Sequence, residues 1–268
     1  MHPIIFKFGP FTIYSYGLMV AIGFILAAWL GKKNAVLRRN TIGKSTLTDI
    51  EESKRPLPTS NQLLDFFIYV LVSGIIGARL FYVLLNINKY TRNPLEILMI
   101  NHGGLVLYGG VIFGVIVGVW FLNKRKLAVF RTLDIIIPYV ALGQSIGRIG
   151  CLLNGCCYGR PTNLPIGIYF YGSQERIHPT QIYSSLVMLV IFLIIRFLQG
   201  RRLINGQIFL LYFILYSFSR FFIEFLRGDN PSIFIGLTFS QLFSICVFFT
   251  SLIFFILLRR IPRGLLWG

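Results

Sequence analysis

Three arginines, Arg79, Arg148 and Arg220, stand inside stretches of sequence that are otherwise apolar. An arginine near the centre of a bilayer costs about 2.5–3.5 kcal/mol on the insertion scale, so each needs a partner or a purpose. Taken singly, snorkelling to the interface or a private ion pair accounts for such a residue. Taken together, they offer three planar forks of N–H donors, the geometry that fits a phosphate. The last lies in "YSFSRFFIEFLRGD", where Tyr216, Arg220, Glu224 and Arg227 follow i, i+4, i+8 and i+11 spacing and share one helix face. Glu224 can hold Arg220 or Arg227 in place. Two cations against one acid leave that face positive.

The stretch "GRIGCLLNGCCYG", Gly147 to Gly159, joins Arg148 to Asn154 and to three of the four cysteines. The spacing C-x4-C-C is poor for zinc, which favours paired C-x2–4-C units with further ligands. A tetrahedral site would have to borrow a donor such as His178. A disulfide between Cys151 and Cys156, or simply buried thiols, fits better, and no metal or cofactor is expected. Tyr16 in "SYGLM" reads first as an interfacial tyrosine. "NHGGLVLYGG", residues 101–110, sets His102 and Tyr108 among four glycines, which allow close backbone approach or a helix loosened around a cavity. His178 in "RIHPTQIY" marks a helix start. Gly114-x-x-x-Gly118 and Gly143-x-x-x-Gly147 read as small-residue helix packing.

The elements that must carry these residues are apolar spans. The chain has 268 residues, 55% hydrophobic and only 13% charged, against about 25% charged in soluble domains. Seven apolar segments have the length that crosses a bilayer: Tyr14–Leu30, Gln62–Leu85, Gly103–Leu122, Thr132–Leu153, Gln181–Leu198, Gly206–Leu226 and Ile235–Leu258. The fold class is therefore all-α, a polytopic membrane protein forming one integral domain over residues 1–268. Of the 26 Lys and Arg residues, seventeen fall after spans 1, 3, 5 and 7 and six on the alternate side. The positive-inside rule then puts the N-terminus outside and the C-terminus in the cytoplasm. The net charge of +17 belongs to this topology and to lipid contacts, and no nucleic-acid partner is expected. The first basic cluster comes after the first apolar run, so a cleaved leader is not expected. Residues 154–180, with Pro161, Pro165 and Pro179, form a small outer head between spans 4 and 5. Arg79, Arg148 and Arg220 each lie about six residues before the outer end of an outward-running span, roughly 9 Å below the surface. Matched depth makes one shared anion pocket the expectation.

These pieces resemble the bacterial prolipoprotein diacylglyceryl transferase family. The resemblance rests on "YGLM" at Tyr16, "GARLFYVL" at Gly77–Leu84, "GGLVLYGG", "GRIG" with Asn154, "HPTQIY" at His178 and "YSFSRFFIEFLR", in order and over nearly the whole chain. It implies transfer of the diacylglyceryl group of phosphatidylglycerol to the lipobox cysteine of a preprolipoprotein, the first step of lipoprotein maturation. A thioether forms, glycerol phosphate leaves, and no metal or nucleotide takes part. It implies the bacterial cytoplasmic membrane, with the active site toward the outer leaflet. The family's phosphatidylglycerol-binding arginine matches Arg148 and its second essential arginine Arg220. Its span 1 tyrosine matches Tyr16 and its span 6 acid Glu224. Arg79 and Asn154 are expected to join the lipid site, with Tyr216, His178 and Arg227 in support. The family's span 3 histidine is replaced by Tyr108. Its signature asparagine and glutamate fall on Cys151 and Cys156, and a glutamate after the "HPSQLY" motif is Ser184. The cysteine pair is expected to play a structural part, as thiols or a disulfide.

The chemistry so implied is alkyl transfer, in which charge develops on a leaving phosphate and preorganised arginines stabilise it. Tyr108 or Tyr16 would orient the thiol or take its proton, although a tyrosine is a poor base at neutral pH. An anion transporter is one rival, but it needs polar residues along a whole path. Here the inner halves are apolar, with Asp65 and Asp134 read as interfacial. A membrane thiol oxidoreductase is the other. It predicts inactivation by Cys156→Ser and Cys157→Ser, where the transferase predicts tolerance or a folding defect.

Overall fold

The computed structural model describes residues 2–8, 11–42, 55–90, 94–99, 103–170, 174–201 and 204–260. His102 lies outside the described residues. Seven helices are long and apolar enough to cross a membrane. They are α1 (Ser15–Ile42), α2 (Ser60–Leu85), α4 (Leu107–Lys124), α5 (Val129–Asn154), α6 (Thr180–Leu198), α7 (Gln207–Phe225) and α8 (Phe239–Arg260), with a short α3 (Ile87–Tyr90) between α2 and α4. The chain is a multi-pass helical membrane protein.

Three ends differ from the apolar segments. Helix α1 runs on to Ile42, because Lys, Asn, Ala, Leu and Arg sustain a helix beyond the point where hydropathy falls. Helix α4 begins at Leu107 and not at Gly103, since Gly103 and Gly104 both stand at φ +78°, outside the helical region. Helix α8 begins at Phe239. Residues before it form a hairpin, β5 (Ser232–Phe234) with β6 (Leu237–Thr238), whose turn places Ile235 and Gly236 at positive φ. A second hairpin, β1 (Ile4–Phe8) with β2 (Phe11–Tyr14), precedes α1, and its base is tied by the Ser15 amide to the Pro3 carbonyl at 2.9 Å.

The chain divides into two compact units, residues 32–132 and residues 1–31 with 133–268. In the first, α2 opens on a reciprocal capping box. The Thr59 amide donates to Gln62 Oε1 at 2.8 Å, and the Gln62 amide to Thr59 Oγ1 at 3.2 Å. Its C-terminal half then meets α4 backbone to backbone. A Cβ on Gly77 would fall 2.6 Å from the Gly109 carbonyl oxygen, and one on Gly109 would fall 2.4 Å from that of Gly77. Glycines on both sides are what permit this approach.

In the second unit, α5 is the common partner. Gly143 packs on Gly23 of α1, where a Cβ would lie 3.1 Å from the Gly23 carbonyl oxygen, while one on Gly147 would make ordinary contact with the Val20 side chain at 4.0 Å. Ser145 and Ser185 clasp α5 to α6, each hydroxyl donating to the other's carbonyl at 2.8 and 2.9 Å. Tyr212 of α7 donates to Gln144 Oε1 at 2.8 Å, above an apolar cluster of Ile137, Ala141, Met188, Ile191, Ile195 and Ile208. Asp134, read from the sequence as interfacial, is buried in the protein and caps α7 from a neighbouring helix. Its carboxylate accepts from the amides of Gly206 at 2.6 Å and Phe209 at 2.8 Å, two donors that a helix start leaves unpaired.

Candidate functional site

The 155–179 segment is knitted to the end of α7 by main-chain bonds. Gly159 donates to the His178 carbonyl at 3.0 Å, His178 back to Arg160 at 3.0 Å, Arg160 to Leu226 at 2.8 Å, and Gly228 to Tyr158 at 3.3 Å. Gly159 allows this, since a Cβ there would fall 2.5 Å from the His178 side chain. A two-residue hairpin, β3 (Ile168–Tyr169) with β4 (Arg176–Ile177), completes the segment. His178 itself is half-buried, and its Nδ1 lies 3.3 Å from the Tyr183 hydroxyl.

This arrangement sets the end of α5 beside the end of α7. Arg220, Arg148 and Arg227 stand within electrostatic reach of one another, with Tyr216 beside Arg220. Tyr16 lies within reach of Arg148 and of all three clustered cysteines, brought there because Gly150 lets the start of α1 approach α5. Glu224 is fully buried and organises the group. Its Oε1 accepts from Asn230 Nδ2 at 2.6 Å and Thr238 Oγ1 at 2.9 Å. Its Oε2 forms ion pairs with Arg220 at 2.8 Å and Arg227 at 3.7 Å. Arg227 also makes a bidentate pair with Asp229, at 2.8 and 2.6 Å. Burial works against the Arg227 charge, but the Asp229 hydrogen bonds, with nearby Cys157 and Glu224, raise its pKa above the ordinary value.

Two donors in this group remain uncommitted. Arg220 bonds Ser240 Oγ at 3.2 Å through Nη2, while its buried Nη1 has no partner among the described residues. Arg148 is half-buried and forms no hydrogen bond or ion pair with the described residues. A buried guanidinium nitrogen left without an acceptor is costly, and an anion placed against it repays that cost.

Arg79 is committed elsewhere. It belongs to the 32–132 unit, where all five of its N–H donors reach main-chain carbonyls: Nε to Ile97 at 2.9 Å, Nη1 to Gly103 at 2.6 Å and Gly104 at 3.1 Å, Nη2 to Glu96 at 2.6 Å and Met99 at 3.1 Å. The Tyr82 and Tyr90 rings sit 5.7 and 5.6 Å from the guanidinium carbon. Tyr108 is in the same unit, exposed in the first turn of α4.

The cysteines are free thiols, and three of them converge. Helix α5 closes in a Schellman motif: the Cys156 amide donates to the Cys151 carbonyl at 3.1 Å and the Gly155 amide to that of Leu152 at 3.2 Å, with Gly155 at φ +76°. That motif brings the residue three before the cap next to the one two beyond it, here Cys151 and Cys156. Cys157, at φ +60°, then turns its side chain back. The three sulfur atoms all lie within 4.8 Å of one another. The loop is held from α6, where Gln181 Nε2 donates to the Cys156 carbonyl and Thr180 Oγ1 to that of Cys157, both at 2.7 Å. Hydrogen bonds from the Cys151 and Cys156 thiols hold the Cys157 pKa far below its usual range, and Arg227 and Arg148 add to this. The Cys151 hydrogen bond works to lower the Cys156 pKa, but Cys157 and burial outweigh it and push the thiol up. Asn154, exposed at the end of α5, is within bonding reach of Cys156. Sequence reasoning named Arg148, Arg220, Glu224, Arg227 and Tyr16. It did not single out Asp229, Asn230, Thr238, Thr180 or Gln181, although Asp229 stands two residues after Arg227 and Thr180 and Gln181 lie within "HPTQIY".

Fold and site define a multi-pass helical membrane protein with a cationic, thiol-lined site where two spans end. The family model described as prolipoprotein diacylglyceryl transferase matches residues 3–257. The chain is 35% identical over 255 residues to the phosphatidylglycerol–prolipoprotein diacylglyceryl transferase of Clostridium tetani, covering 92% of this chain and 95% of that one. It is 37% identical to the protein of that name from Finegoldia magna, covering 94% of each. It is 36% identical to that of Streptococcus uberis, covering 96% of this chain and 95% of the relative. The chain belongs to the prolipoprotein diacylglyceryl transferase family.

Proposed function

We propose that this protein transfers the diacylglyceryl group of phosphatidylglycerol to the lipobox cysteine thiol of a preprolipoprotein, at the outer leaflet of a bacterial cytoplasmic membrane. The thiolate sulfur attacks the terminal glyceryl carbon, the carbon–oxygen bond to phosphate breaks, and glycerol phosphate leaves with the electron pair. Arg148 and Arg220 form the phosphate clamp. The observation that carries this reading is the unpaired, buried Nη1 of Arg220 beside an Arg148 with no partner among the described residues. Glu224 orients Arg220, and Asp229 neutralises Arg227, so the clamp keeps a net positive charge without an excess of cations. Tyr16, within reach of Arg148, orients the thiol or the headgroup. Arg79, whose donors are all engaged by carbonyls of residues 96–99 and 103–104, is left out of the clamp.

The test is purified protein with labelled phosphatidylglycerol and a lipobox peptide. Label should pass to the peptide only when its cysteine is intact, and Arg148→Ala should lower the rate about 10²–10³-fold, the scale of removing one preorganised donor from developing charge. A wild-type rate in Arg148→Ala would remove the clamp. Full activity in Tyr108→Phe would exclude that hydroxyl from the reaction. Movement of an anion across vesicles without transfer of label would favour the transporter.

A further inference from the structure

A thiol must lose its proton before it can attack carbon, and among the described residues the clamp's own side chains offer no free acceptor. Tyr16 is a phenol, the clamp carboxylates described, Glu224 and Asp229, are engaged in ion pairs with arginines, and His178 Nδ1 is turned to the Tyr183 hydroxyl at 3.3 Å. What the site does hold, within reach of Arg148 and Tyr16, is three thiols gathered on one turn of chain. From this we infer that Cys151, Cys156 and Cys157 bind a zinc ion whose fourth position is taken by the substrate's cysteine sulfur, activating it as a thiolate. The inference rests on the proposed transfer of a diacylglyceryl group to a thiol.

Four independent features agree with such a site. Zinc–sulfur bonds are about 2.3 Å, so tetrahedral ligation needs sulfurs roughly 3.8 Å apart. The three sulfurs already lie within 4.8 Å of one another, a limit about 1 Å wider than that ligation needs. The ligand loop is fixed in advance: Gly155 and Cys157 take left-handed conformations, and Thr180 and Gln181, both fully buried, hold the carbonyls of the two loop cysteines. Such support orients ligands and is part of what makes a metal site. Exposure is uneven, since Cys151 is buried while Cys156 and Cys157 are half-exposed, which leaves one face for a fourth ligand. Three protein ligands with an open fourth position are the mark of a catalytic zinc, where structural sites use four. Charge also agrees. The guanidinium groups of Arg148 and Arg227 stand within electrostatic reach of Cys157, where cations favour the thiolates that a metal needs as ligands.

The step closes chemically. Loading the metal releases three protons from the cysteines to solvent. The incoming lipobox thiol displaces water from the fourth position and gives up its proton to solvent, because a coordinated thiol is deprotonated outright. Its sulfur then forms the bond to the glyceryl carbon as the phosphate oxygen departs toward Arg148 and Arg220. The product thioether is uncharged and a weaker ligand, so it dissociates and water returns. A neutral thioether leaving an anionic centre also favours turnover over product retention. On this account the cysteines supply what a histidine or glutamate base would otherwise provide. Their replacement by serine then costs activity without an oxidoreductase being involved, in place of the tolerance or folding defect first expected of a transferase.

The experiment uses the whole purified protein. Metal analysis should find about one zinc per chain, and Cys246→Ser, outside the cluster, should keep it. Cobalt substitution should give the intense sulfur-to-metal absorption of a tetrahedral thiolate site. The ligand-field bands should move when a lipobox peptide is added and stay fixed with its Cys→Ser counterpart, a readout that needs no turnover. Chelation should lower transfer about 10²-fold or more, restored by zinc and not by magnesium. Cys151→Ser, Cys156→Ser and Cys157→Ser should each lose metal. Because a serine variant can fail to fold, the chelated and reloaded wild-type protein is the deciding sample. Undiminished transfer by protein stripped of metal overturns the zinc inference and leaves the transferase standing. Cobalt bands indifferent to the thiol peptide overturn substrate ligation. A metal centre that senses the thiol while no label ever leaves phosphatidylglycerol overturns the transferase reading instead.

Discussion

Arg79 is the residue on which sequence and geometry divide, and Arg79→Lys separates the two accounts. An ammonium group has three donors and the native site has five carbonyl acceptors, so at least two bonds are lost. Charge-assisted hydrogen bonds contribute about 1.5–3 kcal/mol each, which puts the loss at about 3 kcal/mol or more. For a chain of this size that corresponds to a fall in Tm of about 6–12 °C. The assay is thermal unfolding in detergent, paired with limited proteolysis to see whether the 94–104 segment opens first. Arg148→Lys, made in parallel, should melt close to the parent, because Arg148 has no partner among the described residues to lose. The reasoning is refuted if Arg79→Lys melts with the parent while losing phosphatidylglycerol-dependent transfer. That outcome would return the guanidinium to the phosphate.

Glu224→Gln keeps an acceptor for Asn230 and Thr238 but removes the charge that Arg220 and Arg227 share; a loss of about 3 kcal/mol or more is expected in thermal unfolding, along with reduced transfer. Gly155→Ala forces a Cβ into the left-handed region that closes α5 and should cost about 1–2 kcal/mol, read by the same melts. In metal-stripped Cys246→Ser protein, iodoacetamide should label Cys157 at lower pH than Cys156, followed by mass spectrometry. A depressed folded-state pKa keeps the thiolate present as pH falls, and a raised one removes it sooner. The same pH dependence at both cysteines would contradict the arrangement.

The spans were legible because crossing a bilayer imposes a length and a composition that appear directly in sequence. Their ends were less so. Hydropathy reports which residues suit lipid, and α1 continues for a dozen residues on helix propensity after that signal has gone. The face of α7 was readable from spacing alone, and Glu224 does meet both Arg220 and Arg227. The surroundings of Arg79 were hidden for a definite reason. Its partners are main-chain carbonyls, which every residue carries and no sequence pattern marks. The convergence of the cysteines was hidden in another way. Linear spacing of metal ligands assumes particular turns, whereas here a helix cap with glycine in the left-handed region folds C-x4-C-C into one cluster.

Asp134 carries a consequence for how this chain can be altered. The carboxylate that starts α7 resides on α5, more than seventy residues earlier, and the Gln199 side chain reaches the Asp134 carbonyl at 2.6 Å from the end of α6. The link between α6 and α7 is thus tethered at both ends to a third helix. Connections between spans are the customary places for tags, fluorescent fusions and new termini, yet an insertion in this one would act on the bonds at both of its ends. Engineers wanting a permissive site will do better elsewhere in the chain.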